Sequence, residues 1–271
     1  MNPIPFRIVG DDLQFVEMTL APGQSAVGEP GAMMYMDEGL VMDTVLGDGA
    51  DTRFGFLGRL GNAFKRVFTG ESMFSSVFSN PTSRALRVSF AAPYPGKIIA
   101  VDLAGQGGEL ICQKGAYLCA TRGVRVGIAF KKRLRVGFFG GEGFIMQRLH
   151  GEGLVFVHAS GTLVETMLGP NEALRVDTGC LAALQPSVTY DIRYVGRLKS
   201  AFFGGEGLFF AHLRGPGTIW LQSLPIRRLS SGILANAFKG GGSGGWGARL
   251  YLLFIMVAIL VATCAGPAPQ A

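Results

Sequence analysis

The chain has 271 residues, 48% of them hydrophobic and only 16% charged, with 41 Gly and 20 Phe. Its glycines follow no G-X-Y period and do not gather in one tract, which excludes a collagen triple helix and global disorder and fits many tight turns between short apolar strands. A net charge of +6 suits an anionic partner such as a membrane surface or nucleic acid, and equally suits plain solubility.

The N-terminal run Met1-Asn2-Pro3-Ile4-Pro5-Phe6-Arg7 has no basic stretch leading into an apolar one, so no secretory signal is expected. An apolar strand then ends in the turn Leu20-Ala21-Pro22-Gly23, and a signature follows, Pro30-Gly31-Ala32-Met33-Met34. The main helical expectation is Phe54 to Phe68, where Phe56, Leu57, Leu60, Phe64, Val67 and Phe68 fall at helical spacing opposite Arg59, Lys65 and Arg66. A second signature comes next, Val67-Phe68-Thr69-Gly70-Glu71-Ser72-Met73-Phe74.

Both signatures return in the same order. Strand patterns at Leu86, Val88 and Phe90, alternating with Arg87 and Ser89, and at Ile99, Val101 and Leu103, alternating with Ala100 and Asp102, lead to the turn Leu103-Ala104-Gly105-Gln106. Lys114-Gly115-Ala116-Tyr117-Leu118 and Phe138-Phe139-Gly140-Gly141-Glu142-Gly143-Phe144 then repeat the pair. Short strands at Leu154 to Val157 and Leu163 to Leu168 precede the third copy: Leu168-Gly169-Pro170-Asn171, Thr178-Gly179-Cys180-Leu181-Ala182 and Phe202-Phe203-Gly204-Gly205-Glu206-Gly207-Leu208. The second and third copies lie 64 residues apart at both signatures. Two independent signatures in one order, three times, indicate three tandem repeats. The expected fold is all-β: three short double-stranded β-helix or β-sandwich units at about 6–92, 93–157 and 158–224, set about a pseudo-threefold axis in a domain 1–229.

The repeat also sorts the chemistry. Gly70, Glu71, Gly141, Glu142, Gly205 and Glu206 are repeat-equivalent; three carboxylates could converge on a cation, but a turn whose Glu accepts backbone N–H groups is the simpler reading. The histidines (His150, His158, His212) lack metal-ligand spacing and are expected as strand or surface residues, and no metal site is assigned. Cys112, Cys119, Cys180 and Cys264 form no CxxC pair, as small buried thiols of a reducing compartment would not. No nucleophile elbow, phosphate loop or zinc-protease motif occurs, so the expectation is a protein that is not an enzyme, with no catalytic residue, no cofactor and no small-molecule substrate identified. A basic segment precedes each Gly-Glu turn: Arg59, Lys65 and Arg66; Lys131, Lys132, Arg133 and Arg135; Arg197 and Lys199. Placed at one end of a threefold body these would form a basic collar for membrane lipids, at about 1 kcal/mol per residue near an anionic surface. The same collar could meet nucleic-acid phosphates, with Phe64, Phe68, Phe130, Phe138 and Phe139 as stacking candidates, or simply be a solvated rim.

The third copy carries a resemblance. Phe203-Gly204-Gly205-Glu206-Gly207-Leu208-Phe209, followed by Leu213-Arg214-Gly215-Pro216-Gly217-Thr218-Ile219-Trp220-Leu221-Gln222-Ser223-Leu224, resembles the altered-inheritance-of-mitochondria family over about Phe6 to Leu224. The resemblance implies a fold like that of the tryptophan RNA-binding attenuation protein, repeated three times. It also implies a link to mitochondrial inner-membrane organisation through the yeast member, and it supplies no catalytic residues.

Beyond the repeats, 230–248 reads as a Gly-rich linker, flexible around Lys239-Gly240-Gly241-Gly242-Ser243-Gly244-Gly245. Segment 249–265 then reads as a transmembrane or membrane-associated helix, whose run Leu250 to Ala265 has 16 residues without a charge. As a helix that run would be about 24 Å long against a hydrocarbon core of about 30 Å, and Trp246 to Arg249 would lengthen it. Lys239 and Arg249 on the body side place the body on the cytoplasmic side of a single C-terminal span. The alternatives are a soluble cytoplasmic protein whose tail completes the core or binds a partner. The leading expectation is a membrane-anchored scaffold or interaction protein with self-association; the alternative is an RNA-binding module.

Overall fold

The computed structural model describes residues 3–46, 74–132, 144–194 and 209–225, all within the unit Met1–Ile226. These residues are almost entirely β. The first strands are β1 (Phe6–Val9), β2 (Phe15–Leu20), β3 (Ser25–Gly28), β4 (Met33–Met36), β5 (Val41–Leu46), β6 (Phe74–Ser79) and β7 (Leu86–Ala91). Next come β8 (Gly96–Asp102), β9 (Glu109–Gln113), β10 (Tyr117–Thr121), β11 (Val124–Lys132), β12 (Phe144–Gly151) and β13 (Leu154–Ser160). The last are β14 (Leu163–Leu168), β15 (Ala173–Asp177), β16 (Leu181–Leu184), β17 (Thr189–Tyr194), β18 (Phe209–Arg214) and β19 (Gly217–Gln222). Two single 3-10 turns, Ala104–Gln106 and Thr178–Cys180, are the helical elements among the described residues. The helical expectation at Phe54 to Phe68, the linker and the apolar segment 249–265 lie outside the described residues. Among the described residues no helix is long and apolar enough to cross a membrane.

The strands pair antiparallel in four sheets, in the orders β1-β2-β7-β4, β5-β6-β3-β10-β13-β8, β11-β12-β9-β16-β19-β14 and β15-β18-β17. Each neighbouring pair of sheets encloses one core. Val16, Met18, Val88 and Phe90 of the first sheet meet Phe78, Leu118 and Phe156 of the second. Tyr117, Val155 and Val157 of the second meet Leu110, Leu149 and Trp220 of the third. Met146, Leu184 and Ile219 of the third meet Val176, Ile192, Ala211 and Leu213 of the fourth.

This layering explains where the expected alternation holds and where it fails. β7 alternates in part as read: Leu86, Val88 and Phe90 are buried in the first core and Arg87 is exposed, but Ser89, on the opposite face, is buried as well. β13 is buried almost throughout, since Phe156 faces the first core while Val155 and Val157 face the second. A sheet covered on both faces needs apolar residues at every position. β13 also runs on to Ser160, past the strand end expected at Val157. Its partner β10 carries a bulge between Tyr117 and Cys119, and the same irregularity stands between Met33 and Tyr35 in β4 and between Leu181 and Ala183 in β16.

Candidate interaction surface

On its outer face the first sheet carries a closed ionic network. Backbone register sets Arg7 beside Glu17, Glu17 beside Ser89 and Ser89 beside Tyr35, so one row of side chains crosses β1, β2, β7 and β4. The Arg7 Nε donates to the Glu17 carboxylate at 2.8 Å, and the Tyr35 hydroxyl donates to its other oxygen. Arg87 lies 3.9 Å from Glu17 and grips Asp37 through Nε and Nη2 at 3.1 and 3.0 Å, while its backbone N–H donates to the same carboxylate at 2.9 Å. Glu17 is 4% exposed although it sits on an outward face. Two guanidiniums and a phenol roof it over. The Tyr35 hydroxyl first, then Arg7, hold the Glu17 carboxyl below the usual carboxylate range, against the opposing effect of burial. Ser89 Oγ is buried beside this row with no hydrogen-bond partner. The signal in the sequence was a lone acid within the apolar alternation of β2 and an arginine in that of β7, neither of which stands out without the pairing.

The edge of the same sheet is apolar. Among the described residues β4 pairs with β7 on one side only and leaves Met33, Met34 and Met36 exposed. At the far end of the series β15 pairs, among the described residues, only with β18 and exposes Leu174, beside the exposed Arg175.

Buried ionisable groups lie at the strand seams. Glu29 follows β3 and donates its backbone N–H to the Leu118 carbonyl of β10 at 2.9 Å. Burial pushes its carboxyl up to about 7, with the Lys114 ammonium pulling the other way. Cys112 and Cys119 are buried thiols and Cys180 is half-buried, and burial raises the first two well above the ordinary thiol value. His158 is buried in β13 with Nε2 unpartnered, and burial lowers its pKa. Among the described residues no group of His, Cys, Asp and Glu is placed to hold a metal ion.

The residues singled out from the sequence fall mostly elsewhere. Gly70, Glu71, Gly141, Glu142, Gly205 and Glu206 lie outside the described residues, as do Arg59, Lys65, Arg66, Arg133, Arg135, Arg197 and Lys199. Lys131 and Lys132 end β11, their backbones opposite Ile145 and Phe144 of β12. Of the stacking candidates, Phe130 packs edge-on against Tyr190 at a centroid distance of 5.6 Å, on the margin of the third core.

Residues 6–224 match the mitochondrial biogenesis AIM24 family, the span over which the sequence resemblance was read. The chain belongs to that family. It is similar to M6_Spy0233, an uncharacterized protein of Streptococcus pyogenes serotype M6, with 27% identity over 219 residues that cover 79% of this chain and 83% of that protein. The crystal structure of protein SPYM3_0169 from Streptococcus pyogenes shares the fold, with a TM-score of 0.67 over 86% of this chain and 99% of that one. At 23% identity that likeness concerns the fold of this AIM24 member and not its activity.

Proposed function

We propose that this AIM24 member is a non-catalytic interaction protein whose β body is held at the cytoplasmic face of a membrane by its C-terminal tail. The observation that carries the interaction role is the β4 edge: an uncharged strand of exposed methionines, uncovered among the described residues, next to a sheet face whose charges are already locked to one another. Unpaired backbone on such an edge is a template for another strand. The body itself reads as three copies of a six-strand unit, β2 to β7, β8 to β13 and β14 to β19. The recurrent bulge and the matched strand orders of the second and third sheets support that reading.

Support for the anchor is the uncharged run Leu250 to Ala265 behind a Gly-rich tether. The full-length protein is expected to stay with membranes through an alkaline wash, and deletion of residues 247–271 is expected to release it. Full-length protein that washes off freely would sink the anchor. Phe130 is engaged with Tyr190, which weakens the RNA reading; cellular RNA retained through a moderate-salt wash would revive it.

A further inference from the structure

The second and third sheets are each joined at one seam. β3 pairs with β10 in the second, and β9 pairs with β16 in the third. Both seams have one register. Counted from the glycine of the recurring signature, Gly115 or Gly179, the residue five places later pairs with the residue four places before the preceding signature glycine: Ala120 with Val27, and Leu184 with Ile111. β4 occupies the place of β10 and β16, and β15 the place of β3 and β9, yet among the described residues each has a free edge. The series of described sheets therefore ends in the two halves of a seam that it makes twice internally.

Burial follows the seams. Met33 is 37% exposed, whereas Tyr117 and Leu181 at the same count are 3% and 0%. Met36 is 37% exposed against 0% for Ala120 and Leu184, and Leu174 is 36% exposed against 0% for Ala26 and Leu110. Identical places in the strand order are core where a seam is closed and surface where it is open. By contrast β17, an outer edge that closes no seam, carries the ion pair Arg193–Asp191 at 2.8 Å, the kind of charge that discourages strand addition.

We infer that β15 of one copy pairs with β4 of a second copy of this chain, head to tail. The register of the internal seams sets Met36 opposite Arg175, Tyr35 opposite Val176 and Asp37 opposite Leu174. Glu38 and Arg175, both exposed, then become diagonal neighbours on one face of the joined sheet, an attractive cross-strand pair. Such a contact uses different patches on its two sides, so it propagates to a closed ring or a filament and does not stop at a twofold dimer. This rests on reading the β4 edge as an interaction surface, and it is independent of the tail.

Two preparations of the full chain in detergent, one with Met36→Cys and one, distinguished by a mass tag, with Arg175→Cys, test the register directly. Paired strands hold opposing Cα atoms within disulfide reach, so mild oxidation is expected to link the two chains roughly tenfold more than a mixture of Met42→Cys and Arg175→Cys. Met42 is comparably exposed, at 47%, but lies on β5, away from the seam. Separately, Glu38→Arg or Arg175→Glu is expected to weaken assembly roughly fivefold by light scattering, and the double exchange to restore it. A cross-link no stronger than the Met42 control overturns the inference. So does a Met36→Cys, Arg175→Cys double variant that closes within one chain, which would mean that β4 and β15 meet intramolecularly. Unchanged unfolding curves for the charge variants, both at exposed positions, separate lost assembly from lost folding. A chain that remains monomeric yet stays with membranes rejects this inference alone; one that assembles yet washes off rejects the anchor alone.

Discussion

Glu17 shows how strand pairing turns scattered residues into a unit. Arg7, Glu17, Tyr35 and Arg87 come from four strands, and their proximity follows from register alone. Tyr35→Phe is expected to cost about 1–2 kcal/mol, because it removes a hydrogen bond to a mostly buried carboxylate. The sign with pH is definite. A carboxyl lowered on folding stabilises above its unfolded pKa and loses that contribution as pH falls through the lowered value, so the deficit of Tyr35→Phe measured by urea unfolding should be full at neutral pH and shrink below about pH 4. A deficit that does not change with pH would show that it does not come from the hydroxyl's bond to the ionised Glu17. Glu29 works in the opposite sense. Raised from 4.5 to about 7 on folding, it is neutral with respect to stability at low pH and progressively destabilising as pH rises through that interval. The folded body should lose up to about 3 kcal/mol between pH 4.5 and 7.5 on this account, and Glu29→Gln should flatten the profile. Parallel profiles for the two proteins would show that Glu29 is solvated.

Among the elements, the β8–β13 pair is the most tightly constrained by a single residue. Gly96 opposes Ser160, and a Cβ there would lie 2.1 Å from the Ala159 carbonyl oxygen and 2.7 Å from His158 Nε2. Neither is the free end of a flexible chain: one is backbone and the other a buried ring. Gly96→Ala is therefore expected to destabilise by about 3 kcal/mol, read as a lower urea midpoint with the m-value kept. A change within a few tenths of a kcal/mol would mean that β8 can shift along its partner. The same strand shows what alternation conveys and what it omits. Ile98 and Val101 are buried while Ile99 and Ala100 are only partly so, because β8 is an edge strand of a sheet with a core on each face. Period-two patterning identifies a strand; it does not say how many layers cover it.

At the scale of the molecule, four sheets in series enclose three cores, so the second and third sheets each line two cores and the first and fourth line one. Shared sheets couple adjacent layers, as in repeat proteins whose terminal units are atypical. The two ends differ in kind: the first sheet is roofed by the Glu17 network, and the fourth is the shortest, with three strands. The tail lies beyond this series in sequence. Deleting residues 247–271 should consequently change membrane retention and leave the urea midpoint of the body unmoved; a shifted midpoint would mean that the tail packs on the sheets.

The sequence by itself determined the class of fold, the family and the recurrence of two signatures, because apolar alternation, glycine turns and motif order are local and survive without knowledge of partners. It also picked out β7, β13 and β14 as strands from their own residues. It did not reveal the Glu17 network, since Arg7 and Arg87 stand 80 residues apart and meet only through β2. Nor could it separate Met36, exposed, from Ala120 and Leu184, buried at the same count from their signature glycines. That difference belongs to the tertiary structure: hydrogen-bond partners for β10 and β16 come from β3 and β9 of the neighbouring unit, and β4 has no such partner among the described residues.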